Sequence, residues 1–217
     1  MNKHMSRWLA AITFALFSVI LPAHAQQQLV VDRDYVEINP AQPTDNPAKI
    51  EVIEFFSYAC PHCNDLNPSI IKWAAKLPAE VEFKRVPVNF SPFYQLMARL
   101  YYTLDAIGEL KRLDEAVFNA IHVKGLKLID DKSIQEWAVG QGIDAKKFSD
   151  AYNSFGVISK VKRADQLARA AKIQGVPAIV VDGRYLLVGK DVKSHDDELA
   201  LADKIIDKAR SERNKKK

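Results

Sequence analysis

The chain has 217 residues, 48% hydrophobic and 27% charged, an ordinary globular composition that excludes a disordered or fibrous protein. Its formal net charge is +4, and Lys3 and Arg7 near the N-terminus contribute two of those charges. The balance is too even to point to a nucleic-acid partner.

The first residues read as an export leader. Lys3, His4 and Arg7 form a basic start, Trp8 to Leu21 is an almost unbroken apolar run, and Ala23-His24-Ala25 has the small-x-small pattern of a signal-peptidase site. Residues 1–25 are therefore expected to be a cleaved signal peptide, with the mature chain starting near Gln26. The apolar run is short for a membrane anchor, which needs about 20 residues. No later stretch is long enough to cross a bilayer, and Lys215-Lys216-Lys217 reads as a solvated tail.

Ile50 to Phe56 is short, β-branched and aromatic, the pattern of a buried strand. Ser57-Tyr58-Ala59 turns the chain, Cys60 opens a helix, and Pro61 suits the first helical position, where a missing N–H costs nothing. Apolar positions from Leu66 to Leu77 continue that helix, Pro68 predicts a kink in it, and Pro78 stops it. Residues 81–89 read as a second strand. Helical spacing then runs from Phe93 to Ile107, and further helices are expected over 110–122, 133–140, 145–155 and 158–173. Strand character returns at Ala178 to Val181, Asp182-Gly183 predicts a hairpin turn, and a second strand follows to Val188. Ser194 with Asp197 marks the start of a last amphipathic helix. This order predicts an α/β fold in which a βαβ unit and a ββα unit are separated by inserted helices.

Two cysteines, Cys60 and Cys63, are the whole complement of a chain that reads as exported to an oxidising compartment. A bridge between them closes so small a loop that it constrains the unfolded chain very little, so a structural staple explains them poorly. A zinc site usually needs four protein ligands, and His62 is the only further candidate nearby. Redox chemistry remains. A cysteine at a helix start faces unpaired N–H groups and the positive end of the helix dipole, both of which favour the thiolate. His62 can support the same charge. Stabilising the thiolate stabilises the reduced pair and makes the disulfide more oxidising. Cys60 is therefore expected to be the exchanging sulfur, and Cys63, one turn inside, the resolving thiol. His122 and His195 read as surface residues.

The segment Glu54-Phe55-Phe56-Ser57-Tyr58-Ala59-Cys60-Pro61-His62-Cys63 resembles the active-site segment of the DsbA-type periplasmic oxidants. Val88-Asn89-Phe90, Asn153-Ser154-Phe155, Gln174-Gly175-Val176-Pro177-Ala178 and Gly183-Arg184-Tyr185 extend the resemblance over nearly the whole mature chain. It implies a thioredoxin fold with an inserted all-helical domain: residues 26–90 and 158–217 form the thioredoxin part, and 91–157 the insertion. It implies further that Pro177 is a cis-proline facing the disulfide, where the residues alone suggest an ordinary trans turn. Val176 would then bind extended substrate through its backbone. Glu54 matches the buried acid beneath the motif, and Arg85 falls where the best-known relative has a lysine partner for that acid; by themselves the two could equally be a surface strand pair.

The activity so implied is that of a periplasmic oxidase, acting as a monomer and needing no metal or other cofactor beyond its own disulfide. It would oxidise reduced secreted proteins and be reoxidised by an inner-membrane partner of the DsbB type. Two other readings compete. A reductase would usually carry Gly-Pro between the cysteines, and a DsbC-type isomerase needs a dimerisation domain for which this N-terminus is too short. A copper- or zinc-handling protein belongs to another class, which metal content would separate.

Overall fold

The computed structural model describes residues 28–215, so the expected leader lies outside the described residues. Five strands form one mixed sheet: β1 (Tyr35–Glu37), β2 (Ile50–Phe56), β3 (Val81–Pro87), β4 (Ala178–Val181) and β5 (Tyr185–Leu187), in the order β1-β5-β4-β2-β3. β2 is central. It runs parallel to β3 and antiparallel to β4, and all seven of its residues are buried, Glu51 and Glu54 among them.

Its side chains alternate between two helical layers. Ile50 and Val52 pack with α1 (Pro61–Ala74) and α7 (His195–Lys215), while Ile53 and Phe55 pack with α6 (Phe155–Ala170). Between β3 and α6 lie α2 (Pro92–Ala106), α3 (Leu110–Phe118), α4 (Asp131–Gly140) and α5 (Ala145–Tyr152). These helices enclose a core around Met97, Leu100, Leu104, Ile134 and Phe148, which also takes in Phe56, Tyr58, Cys60 and Cys63 from the end of the sheet. The motif thus sits where the two cores meet.

The helix starts follow from local chemistry. Ser91, Asp130, Asp144 and Ser154 cap α2, α4, α5 and α6 by accepting a hydrogen bond from the third residue beyond. Ser194 does the same at α7, accepting from the Asp197 amide at 3.1 Å. Several expectations differ from the structure: α5 stops at Tyr152, short of 155, and α6 runs from Phe155 to Ala170 in place of 158–173. α1 ends at Ala74, and single-turn bonds carry the chain on to Leu77. The helix expected over 110–122 is α-helical only to Phe118; residues Asn119–Val123 form a π-helical turn, with Lys124 N–H donating to Asn119 O at 2.9 Å. Strand β1 has no counterpart in the sequence reading.

Candidate active site

Cys60 occupies the N-cap of α1, with extended backbone and no conventional capping side chain. An N-cap acceptor normally receives the N–H groups of the second and third helical residues. Those residues are His62 and Cys63; the Cys60 side chain makes no capping hydrogen bond, but their N–H groups favour its thiolate. The structure holds both cysteines as free thiols, with Cys60 buried and Cys63 wholly enclosed.

The two thiols are driven apart. Cys60 is lowered to about 6, first by the hydrogen bond its sulfur accepts from the Cys63 thiol and against the opposing effect of burial. The backbone N–H groups of Cys63 and His62 add to this, followed by the His62 charge. Cys63 is pushed above the ordinary thiol range by that same bond to Cys60 and by burial. Cys60 therefore ionises first. His62 is exposed, and it acts on the sulfur through its amide as well as its ring.

Across the sulfur lies the loop before β4. The Val176 carbonyl accepts from Cys60 Sγ at 3.3 Å when that thiol is protonated, and the Val176–Pro177 peptide is cis. Both residues are partly exposed, so the loop borders the sulfur and still reaches the surface. Tyr94, from α2, also faces the pair: burial, and then the charges of Cys60 and Cys63, raise its phenol.

Beneath the motif, parallel pairing sets Arg85 of β3 directly opposite Glu54 of β2. Arg85 Nε donates to Glu54 Oε2 at 2.7 Å, and Nη1 donates to Asp114 Oδ2 of α3 at 2.7 Å. Tyr58 completes the chain by donating its hydroxyl to Asp114 Oδ1 at 2.6 Å. The guanidinium also lies over the Phe56 ring at 3.9 Å. Glu54 is fully enclosed, and desolvation raises its carboxyl to about 6 even though Arg85 opposes the shift. Of the two placements open from sequence, the buried pair is the one observed.

His122 corrects the sequence reading. It is half-buried in the π-helical turn, with Nε2 2.8 Å from the Tyr58 carbonyl, instead of free at the surface. His195 is 41% exposed beside Glu198. Asp114 and His122 were not expected at the site. Each lies more than fifty residues from Tyr58, and no local pattern marks such a contact.

A reduced cysteine pair at the head of the first helix, on a sheet of this topology, defines a thioredoxin-fold dithiol protein. The DSBA-like thioredoxin domain family matches residues 75–199. The thiol:disulfide interchange protein DsbA of Bordetella parapertussis is 42% identical over 209 residues, covering 94% of this chain and 97% of that protein. DsbA of Azotobacter vinelandii is 41% identical over 83% of this chain and 85% of its own. The crystal structure of Pseudomonas aeruginosa DsbA superposes with a TM-score of 0.80 at 36% identity, covering 84% of this chain and 95% of that one. The oxidoreductase DsbA of Xylella fastidiosa gives 0.78 at 32% identity, over 84% and 98% of the two chains. The chain belongs to the DsbA family of thiol:disulfide interchange proteins, with the thioredoxin fold and helical insertion of that family. It is a thiol:disulfide oxidoreductase.

Proposed function

We propose that this protein is a periplasmic oxidase that donates a Cys60–Cys63 disulfide to reduced secreted proteins. The observation that carries this reading is the opposite displacement of the two thiols, Cys60 to about 6 and Cys63 upward, at the head of one helix. A substrate thiolate attacks Cys60 Sγ of the disulfide, and Cys63 leaves and takes up a proton. A second substrate thiolate then attacks the substrate sulfur of the mixed disulfide, and Cys60 leaves as a stabilised thiolate. The substrate dithiol loses two electrons and the Cys60–Cys63 pair gains them. The low proton affinity of Cys60 makes it a good leaving group, which drives the exchange toward substrate oxidation.

In this reading Pro61 shapes the helix start and His62 tunes the Cys60 thiolate. Glu54 sits as the buried acid below Cys63, to which its charge extends. Val176 and Pro177 border the path of an extended substrate. Residues 1–25 direct export and are removed; 91–157 form the helical insertion; the mature protein acts as a monomer with no cofactor beyond its disulfide. An inner-membrane partner of the DsbB type returns the pair to the disulfide. Equilibration with glutathione redox buffers tests the direction: the pair should stay reduced where an ordinary structural disulfide is fully formed. Iodoacetamide labelling at pH 5, read by mass spectrometry, should modify Cys60 first. A couple as reducing as the glutathione pool, or Cys63 labelled first, would refute the reading.

A further inference from the structure

The turn that carries Cys60 is held from two sides. Within the turn, Cys60 N–H donates to Ser57 O at 3.1 Å and Ala59 N–H donates to Ser57 Oγ at 3.2 Å. From outside, the α3 segment grips Tyr58 at both of its ends: Asp114 accepts from the hydroxyl, and His122 lies on the carbonyl at 2.8 Å. Tyr58 is wholly buried, with the Phe118 ring edge-on to it at 4.9 Å, and the Phe118 and His122 rings lie 6.1 Å apart.

A backbone carbonyl can only accept, so the contact assigns the proton to His122 Nε2. The histidine stands in a π-helical turn, whose wider winding changes the direction in which side chains leave the helix, and such turns are frequent at functional sites. A buried carbonyl that loses its donor is left unsatisfied at a cost that rotating its peptide toward another donor would relieve. The peptide in question joins Tyr58 to Ala59, and the next residue is Cys60. Rotating it displaces the sulfur from the His62 and Cys63 amides that favour its anion.

We propose that His122 is a positioning residue of the redox site: its Nε2–H holds the Tyr58 carbonyl and so keeps the Cys60 sulfur over the first turn of α1. This rests on the reading of Cys60 as the exchanging sulfur. It adds a control point in the helical insertion, 64 residues along the chain from Tyr58, beside the Asp114 carboxylate that holds the tyrosine hydroxyl.

The test is the thiolate titration of Cys60 in the reduced mature protein, followed by absorbance near 240 nm and by iodoacetamide rate against pH. His122→Leu should shift the titration upward by about one pH unit, so alkylation at pH 5 slows about tenfold and the difference vanishes by about pH 9. His122→Gln can place an amide N–H near the same point and should titrate close to the parent. His122→Asn is too short and should shift upward. That pair decides the question if the leucine variant does not fold. Asp130→Ala, which removes the cap of α4 where Ser133 N–H donates at 2.7 Å, supplies a destabilised control that leaves the hydrogen bonds to Tyr58 in place and should titrate as the parent does. A parental titration in His122→Leu or His122→Asn would overturn the proposal. So would a shift in His122→Gln as large as theirs, or an equal shift in Asp130→Ala. The parent arm answers for the underlying reading alone: Cys63 labelled first there would overturn the role of Cys60 whatever the variants do.

Discussion

Cys60 and Glu54 are buried acids whose proton affinities move in opposite directions, and each leaves its own signature in stability. Cys60 falls from the usual thiol value to about 6, so between pH 6 and 9 the unfolded chain binds a proton that the native reduced protein does not. Stability of the reduced form must therefore rise with pH across that window, and it loses this contribution as pH falls through 6. The oxidised protein has no such thiol. Urea unfolding of both forms should show the reduced-minus-oxidised difference growing from pH 6 to pH 9. A flat difference would mean that the thiolate is not stabilised in the fold. Glu54 runs the other way. Raised from 4.5 to about 6, it binds its proton more tightly in the native state, so stability falls as pH rises from 4.5 through 6. A shift of that size amounts to about 2 kcal/mol. Glu54→Gln should remove this fall, and a variant that keeps the parent's slope would count against a Glu54 carboxyl raised by burial.

At the next scale, antiparallel pairing sets Ala178 of β4 opposite Phe55 of β2, which brings the Val176 loop to the end of β2, and a hairpin joins the other end of β4 to β5. Asp182 and Gly183 both have positive φ, 58° and 61°, in a β-turn that Arg184 N–H closes by donating to Val181 O at 3.0 Å, a winding that suits the sheet's own twist. Gly183 carries a second constraint: a Cβ there would run into the Gln42 carbonyl, while Gln42 N–H donates to Gly183 O at 2.8 Å. The turn is also tied to the last helix, because Arg213 of α7 pairs with Asp182. Gly183→Ala should therefore cost at least the ~1–3 kcal/mol of a strained non-glycine position, with the collision added. An unchanged urea midpoint would show that the 42–43 segment gives way freely. The Asp-Gly pair was legible in sequence because the turn's demand is local. Strand β1 was not: it is three residues long and gains its identity only by pairing with β5, about 150 residues away. The break of α3 into a π-helical turn at Asn119 is likewise invisible to periodicity, because its apolar spacing passes for a helix running on to 122.

For the whole molecule, the decisive feature is that the sheet and the insertion share one core. Phe56, Tyr58, Cys60 and Cys63 pack among Leu100, Leu104, Val117 and Phe118, and Arg85 joins Glu54 of the sheet to Asp114 of the insertion. Neither part can leave without stranding buried charge, so unfolding should be a single transition. The described residues hold one tryptophan in each part, Trp73 in α1 and Trp137 in α4. In the single-tryptophan variants Trp137→Phe and Trp73→Phe, fluorescence and far-ultraviolet circular dichroism should give coincident urea midpoints within each protein. Two separated transitions would make the insertion an independent unit. The sequence by itself determined the strand-turn-helix around Cys60-Pro61-His62-Cys63, the Ser194 cap, the Asp-Gly hairpin and the α/β order of elements, because each rests on interactions within a few residues or on apolar periodicity. Tertiary structure alone decided that Glu54 and Arg85 form a buried pair, that Asp114 and His122 grip Tyr58, and that the Val176 carbonyl meets the Cys60 sulfur. Those contacts join residues 29 to 116 positions apart, and their chemistry follows from burial and direction, which no local pattern encodes.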